Sequence, residues 1–249
     1  PTFYNRNLNL HNGVANSEFK IGNNITYQKV FSSSVDDVIV VDISFSEPSN
    51  VSFKLSRGIN IKEDDEEDFD PSNHINIPGW KGDYYDSTYR IEYCKGDDWV
   101  NFAGQIIDYP NEKEGPGGEH MRFASVLKVH STDGEIETLS QNSNAKINIK
   151  NATHITLLFS GDTDYNINKL KFDRSIDPLL VSKSKVEKIL LKPKAQIILD
   201  HLTDHRNLFD RVDINLGEDR LSHLATDQRM ALIKQNGDNK DPGLIELYY

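Results

Sequence analysis

His201 and His205 stand four residues apart in the string His201-Leu202-Thr203-Asp204-His205. That spacing puts two imidazoles on one face of a helix, where they can share a metal ion. A zinc protease also needs a glutamate directly after the first histidine as its base, and Leu202 occupies that place. The pair is therefore read as helix–sheet packing and capping, and no metal site is assigned. Asp204 and Arg211 are spaced to form an ion pair at a helix-to-strand corner. One carboxylate and one guanidinium supply no second acid or base, so this pair is not read as catalytic.

Other groups offer binding rather than bond-breaking. Glu63–Asp70 carries seven acids in eight residues. Calcium takes many oxygen ligands, but the run lacks the alternating spacing and glycine of a dedicated calcium loop. Like charges in a block repel, so a solvated loop is the expectation. Trp80, Tyr84, Tyr85 and Trp99 lie in or beside the same irregular region, and their rings suit stacking on the apolar face of a sugar. The competing role is that they plug the core. No G-x-S-x-G elbow surrounds any serine. Gly115-Pro116-Gly117-Gly118 lacks the Lys-Ser or Lys-Thr of a phosphate loop. Asn24, Asn50 and Asn151 open N-x-S/T triplets, taken as incidental. Cys94, the single cysteine, excludes an internal disulfide and is read as a small packed residue.

Composition narrows the partners. The 249 residues carry 39 acids against 28 bases, a net of −11. Duplex nucleic acid needs clustered Lys and Arg, so it is excluded. Neutral polar ligands such as sugars remain. An apolar fraction of 37% with 11 Phe and 10 Tyr is enough for a true core. No run of 18 apolar residues exists, so no membrane span is expected.

These residues must be positioned by two kinds of element. Up to about Ser175 the chain reads as strands: short β-branched and aromatic runs broken by turn residues. Val38–Phe45 ends at Glu47-Pro48-Ser49-Asn50, and Val51, Phe53 and Leu55 then alternate. Phe123–Val129 and Ile136–Leu139 flank Asp133-Gly134 and predict a hairpin. Two long excursions, about 60–118 with its second part at Pro110–Gly118, interrupt the pattern. Residues 1–175 are thus a large antiparallel β-sandwich, mainly β in class. Residues 176–249 are a short helical linker with one strand. Asp177-Pro178 starts a helix as cap and first residue. A second runs from about Lys194 to Phe209 with Ala195, Ile198, Leu199 and Leu202 as its apolar stripe. Val212, Ile214 and Leu216 alternate as a strand. Thr226 or Asp227 caps a third helix, and Asp241-Pro242 opens a fourth. So short a last helix needs a packing partner.

The tail string HLTDHRNLFDRVDINLG, with His201, Asp204 and Arg211, is followed by Thr226-Asp227-Gln228-Arg229 and by Asp241-Pro242-Gly243-Leu244-Ile245-Glu246-Leu247-Tyr248-Tyr249. Together these resemble the linker of glycoside hydrolase family 95, the α-L-fucosidases and α-L-galactosidases, whose members show H-x-x-D-Y-x-x-L-F-x-R-V-x-L-x-L-G, T-D-E-R and D-P-x-L-x-x-L-Y-F. Tyr4–Leu10 and Ile25–Val41 resemble earlier family segments, although Asn9 replaces an Asp and His205 a Tyr.

The resemblance implies the non-catalytic front part of a bacterial enzyme, truncated before its (α/α)6 barrel. That parent would release terminal α-L-fucose or related sugars from glycans or polysaccharide by inversion, with acid and base flanking a water. It implies export to the periplasm or cell surface, the chain's own catalytic barrel as a packing partner, and no cofactor. The family's catalytic residues lie in the barrel, so no catalytic residue is assigned here and the fragment alone is expected to be inactive. His201, Asp204, Arg211, Thr226, Asp227, Arg229, Asp241 and Pro242 are structural in this reading. Two alternatives stay open: the front part of an α-glucoside phosphorylase, which shares the layout but consumes phosphate, and a stand-alone carbohydrate-binding module.

Overall fold

The computed structural model describes residues 2–56, 88–108, 118–141, 144–236 and 241–248. The acidic run, Trp80, Tyr84, Tyr85 and Gly115–Gly117 lie outside them. Among the described residues nine strands form one antiparallel sheet: β1 (Phe3–Asn9), β2 (Val14–Ile21), β3 (Asn24–Ser33), β4 (Val38–Leu55), β5 (Thr88–Lys95), β6 (Trp99–Asp108), β7 (Gly118–Thr132), β8 (Glu135–Ser140) and β9 (Ala145–Thr163). Their order is β1-β2-β3-β4-β9-β7-β6-β5, with β8 paired to β9. A two-residue ribbon of β10 (Tyr165–Asn166) and β11 (Lys171–Phe172) follows. Helices α1 (Pro178–Leu190), α2 (Lys194–Phe209), α3 (Thr226–Asn236) and α4 (Pro242–Tyr248) complete the chain. The class is mainly β, an antiparallel sandwich-like sheet followed by a short helical segment, as the alternation predicts.

The sheet makes a sandwich by bending rather than by pairing two separate sheets. β4 and β9 are 18 and 19 residues long and run side by side through both halves. Their register slips between Ser44 and Val51. At the same level Asn151 of β9 takes a left-handed φ of 57°. Bulges of this kind turn corners where a strand passes from one layer to the next. The Glu47–Asn50 turn residues therefore bend one strand instead of separating two. Asn50 supports the corner by accepting the Asn151 amide at 2.9 Å.

The hairpin predicted at Asp133-Gly134 is corrected for the same reason. β7 and β8 do not pair with each other; both pair antiparallel with β9, β7 on its second half and β8 on its first. They are one line of strand interrupted at the corner. Asp133 fills the interruption, accepting the Thr153 and His154 amides at 3.0 Å each. Gly134 passes so close to β9 that a Cβ would stand 2.6 Å from the Lys150 carbonyl oxygen. Beyond the corner β8 meets β5 through side chains: Lys95 donates to the Thr138 carbonyl at 2.8 Å and Ser140 to that of Tyr93 at 2.6 Å.

Period-two alternation then sorts the side chains. Ile43, Val100, Leu127, Val129, Ile147, Ile149, Ile155 and Leu157 point inward as one core. Phe31, Val38, Val40, Val126 and Leu158 point to the other face, where Val186 and Ile189 of α1 and Ile197 of α2 cover them. Each fully buried Ile or Leu contributes roughly 1.5–3 kcal/mol. Helix α1 begins as predicted, with Asp177 accepting the Leu179 and Leu180 amides at 2.9 and 3.1 Å. Its buried residues Ser182, Val186 and Ile189 recur at helical spacing. The α2 stripe is rotated from the predicted one. Ile197 and His201 are buried, while Ala195 and Leu199 face solvent.

Lysines strap both helices to the sheet. Lys185 reaches Asp37 at 2.6 Å and also Asp162. Lys192 reaches Asp36 at 2.6 Å and Asp200 at 2.8 Å. Lys194 reaches Asp42. Side-chain hydrogen bonds to Asp200 and Asp36 hold the Lys192 ammonium above its ordinary pKa.

By compactness the chain divides into Pro1–Asp204 and His205–Tyr249. In the second unit, Val212, Ile214 and Leu216 form no strand and are exposed. Alternation specifies a strand only where a ladder partner exists, and none pairs with these residues among those described. Among the described residues no helix is long and apolar enough to cross a membrane.

Candidate functional site

Two clusters gather the chemistry-bearing side chains, one in each unit. In the first, α2 lies over β2, β3 and β4 and leaves a groove of about 170 Å³ lined by Asn16, Lys29, Phe31, Asp42, Lys194 and Ile198 among others. His201 packs against two of the residues that line it. Its ring lies 4.6 Å from that of Phe31, and Nε2 is 2.9 Å from the Asn12 carbonyl oxygen. Lys194 pairs with Asp42, which also accepts the Thr156 hydroxyl at 2.9 Å. His154 Nε2 is 3.1 Å from Thr156 Oγ1 and 3.4 Å from the Lys194 ammonium. Asp42 is thus already paired with an ammonium and hydrogen-bonded by a hydroxyl. The arrangement fixes the helix and offers polar contacts, but it presents no second carboxylate for acid–base chemistry.

In the second unit Arg229, buried, donates through Nε to Asp241 at 2.7 Å, pairs with it again through a second nitrogen, and reaches Asp219 at 2.9 Å. Asp241 caps α4 by accepting the Leu244 amide at 3.0 Å. The guanidinium's hydrogen bonds hold the Asp241 carboxyl below the usual carboxylate range. A Cβ on Gly243 would stand 2.1 Å from the Asp219 carboxylate and 2.8 Å from the Arg229 guanidinium, so a larger residue there would displace this cluster. A cavity of about 320 Å³ opens beside it, lined by Leu216, Gly217, Glu218, Arg220, Asp241 and Pro242 among others. Thr226 and Asp227, expected to cap α3, are instead its first two residues and are exposed; Ala225 holds the cap position, its carbonyl accepting the Arg229 amide at 3.0 Å. Arg211 is exposed just past α2, and the ion pairs among the described residues of this unit belong to Arg229 and Arg220.

The other predicted positions lie apart from both clusters. Trp99 is half-buried with its pyrrole side against Gly96, where a Cβ would stand 2.2 Å from Nε1. The Lys183 ammonium sits 4.5 Å over its ring, so a sugar would have to stack on the opposite face. Cys94 is half-buried; burial is the first cause raising its pKa, followed by Glu92. Asp204 is half-buried on α2. Among the described residues no group of three or more His, Cys, Asp or Glu is placed to hold a metal ion.

The lysine straps and the Asp42 cluster escaped the sequence reading. A signal was present: Asp42 interrupts the apolar run Val38–Phe45, and a charge placed in such a strand needs a partner.

The family model described as "Glycosyl hydrolase family 65, N-terminal domain" matches residues 1–168, the whole nine-stranded sheet. The model described as "Glycosyl hydrolase family 95 catalytic domain" matches residues 194–249. Among curated proteins the chain is similar to alpha-L-fucosidase 2 of Arabidopsis thaliana, 23% identical over 252 residues that cover 99% of this chain and 28% of that protein. Among solved structures it is similar to one titled "Putative kojibiose phosphorylase from human microbiome". The TM-score is 0.51 at 12% identity, covering 83% of this chain and 25% of that one. The chain therefore spans little more than a quarter of the curated relative's length.

These matches correct the family 95 reading. The motifs that carried it most specifically lie in 201–249, whereas two thirds of the chain match the family 65 N-terminal domain. The tail, read as a linker ahead of a barrel, matches the family 95 catalytic domain itself from the first residue of α2 onward. The expectations of an α-L-fucosidase, of inversion at fucose and of a fragment cut before its barrel are set aside with it. Fold similarity at 12% identity extends to architecture alone.

Proposed function

Because this chain belongs to the glycosyl hydrolase family 65 N-terminal domain family, we propose that it is the β-rich front part of a carbohydrate-active enzyme that cleaves an α-glucoside by phosphorolysis. The match over the entire sheet carries this reading. Support at the level of architecture comes from the kojibiose phosphorylase-titled structure. The catalytic-domain match over 194–249 supports a further catalytic domain as the sheet's partner. In this reading the sheet has a mechanical and steric role, with α1 and α2 strapped to it by Lys185, Lys192 and Lys194. The substrate and the reaction of the whole protein are part of the proposal.

The test is an assay of the complete protein on kojibiose with and without inorganic phosphate. The expected product is glucose 1-phosphate, formed only when phosphate is present. Release of free glucose at the same rate without phosphate would overturn the reading.

A further inference from the structure

We propose that the open part of the helix-side sheet face, next to α2, binds a neutral oligosaccharide, with Tyr27 as stacking platform between Glu18 and Lys29. The register places these residues together. Asn7, Asn16, Lys29 and Asp42 oppose one another in a row across β1 to β4. The next row on the same face is Asn5, Glu18, Tyr27 and Ser44. The row on the other side of Lys29 is the apolar one of Val14, Phe31 and Val40, which α2 covers. The two polar rows emerge from under the helix, and the groove of about 170 Å³ reaches Asn16, Lys29 and Asp42 in the first of them.

A polar strand face is ordinarily just a solvated one. Three observations single this face out. Tyr27 is 46% exposed, so its ring stands on the surface instead of filling a core. Glu18 is directly opposite Tyr27, about 5 Å away between Cβ atoms, and Lys29 is two residues along the same strand. Neither Glu18 nor Lys29 has a side-chain hydrogen-bond or ion-pair partner among the described residues, although they lie diagonally from each other. Two unpaired opposite charges therefore flank an exposed ring.

Charge then selects the ligand. Glu18 and Lys29 cancel, and Asp42 is paired with Lys194. The two rows therefore carry no excess of either charge, and Lys20, two residues along β2 from Glu18, adds a single ammonium at their border. Its donors and acceptors suit hydroxyls, and the ring face suits the C–H face of a pyranose. The ligand class rests on the carbohydrate reading given above; the location rests on register, exposure and charge.

The test is an amide NMR titration of the full chain with maltoheptaose. Shifts are expected at residues 18, 27 and 29 and their cross-strand neighbours. Tyr27→Ala should weaken binding at least about tenfold. Lys29→Ala, which leaves the ring and both cores intact, should weaken it as well and guards against loss through misfolding. Absence of shifts, shifts confined to other strands, or unchanged affinity in both variants would overturn the site. Phosphorolysis by the complete protein without shifts here would remove this site alone. Shifts here without turnover would remove the enzyme reading alone.

Discussion

The Asp133 carboxylate accepts both the amide and the hydroxyl of Thr153, across the one level of β9 where neither β7 nor β8 supplies a ladder. A side chain here does what backbone does elsewhere in the sheet. The position is on the solvent side of the corner, and three strands change direction around it. Buried or bridging backbone groups must find some partner, and an aspartate at a strand break is the shortest carboxylate that can reach two consecutive amides.

This relationship gives a pH prediction. Hydrogen bonds from Thr153, then His154, lower the Asp133 pKa to about 2. An unfolded Asp titrates near 3.9. A group with a depressed folded pKa contributes stability that is present above the unfolded value and lost as pH falls through the folded one. The melting temperature should therefore fall from about pH 4 to pH 2 more steeply in the native chain than in Asp133→Asn. Parallel curves for the two proteins would show that the bond carries no such linkage.

Arg229 and Asp241 yield the second prediction. Breaking a buried pair by removing one partner strands the other charge, at a cost of about 3 kcal/mol. Arg229→Met should speed hydrogen exchange throughout α3 and α4 while leaving the amides of β4, β7 and β9 unchanged. Unchanged protection in residues 226–248 would mean that the pair does not hold these helices. Asp241→Ala should cost more than Arg229→Met, because it also removes the cap on Leu244.

The third concerns Asn101. Its side chain is 1% exposed, and neither amide atom has a hydrogen-bond partner among the described residues. A buried polar group left unsatisfied costs on the order of 1–3 kcal/mol. Asn101→Leu, which keeps the same branching and number of side-chain heavy atoms, should raise stability by about 1 kcal/mol and the melting temperature by roughly 2–4 °C. A lower melting temperature would show that the amide is satisfied in solution.

Much of the fold is legible in local pattern. Alternation in β3, β4, β7 and β9 fixes which residues face a core, because a one-residue slip would turn the whole set outward. Asp177-Pro178 marks the start of α1 through two rules that act within one turn, capping and the fixed proline φ. The limits of α2 and the start of α4 are equally local. The tail motifs also picked out Arg229 and Asp241, yet said nothing of Asp219, the third member of their cluster.

The sequence by itself determined the β class, the core-facing residues of the strands and the starts of α1 and α4, since each depends on a period of two or on caps a few residues long. Tertiary structure decided everything that joins residues far apart. Whether Asp133-Gly134 reverses the chain or bends it depends on β9, which both flanking strands choose over each other. Which side of α2 is buried depends on Phe31 and Val40, to which Ile197 and His201 turn. Lys192 finds Asp36 across 156 residues, and Glu18 meets Tyr27 only through the register of β2 on β3. Val212, Ile214 and Leu216 show the converse. Their alternation is as clean as that of β4, but a strand is stable only beside another strand.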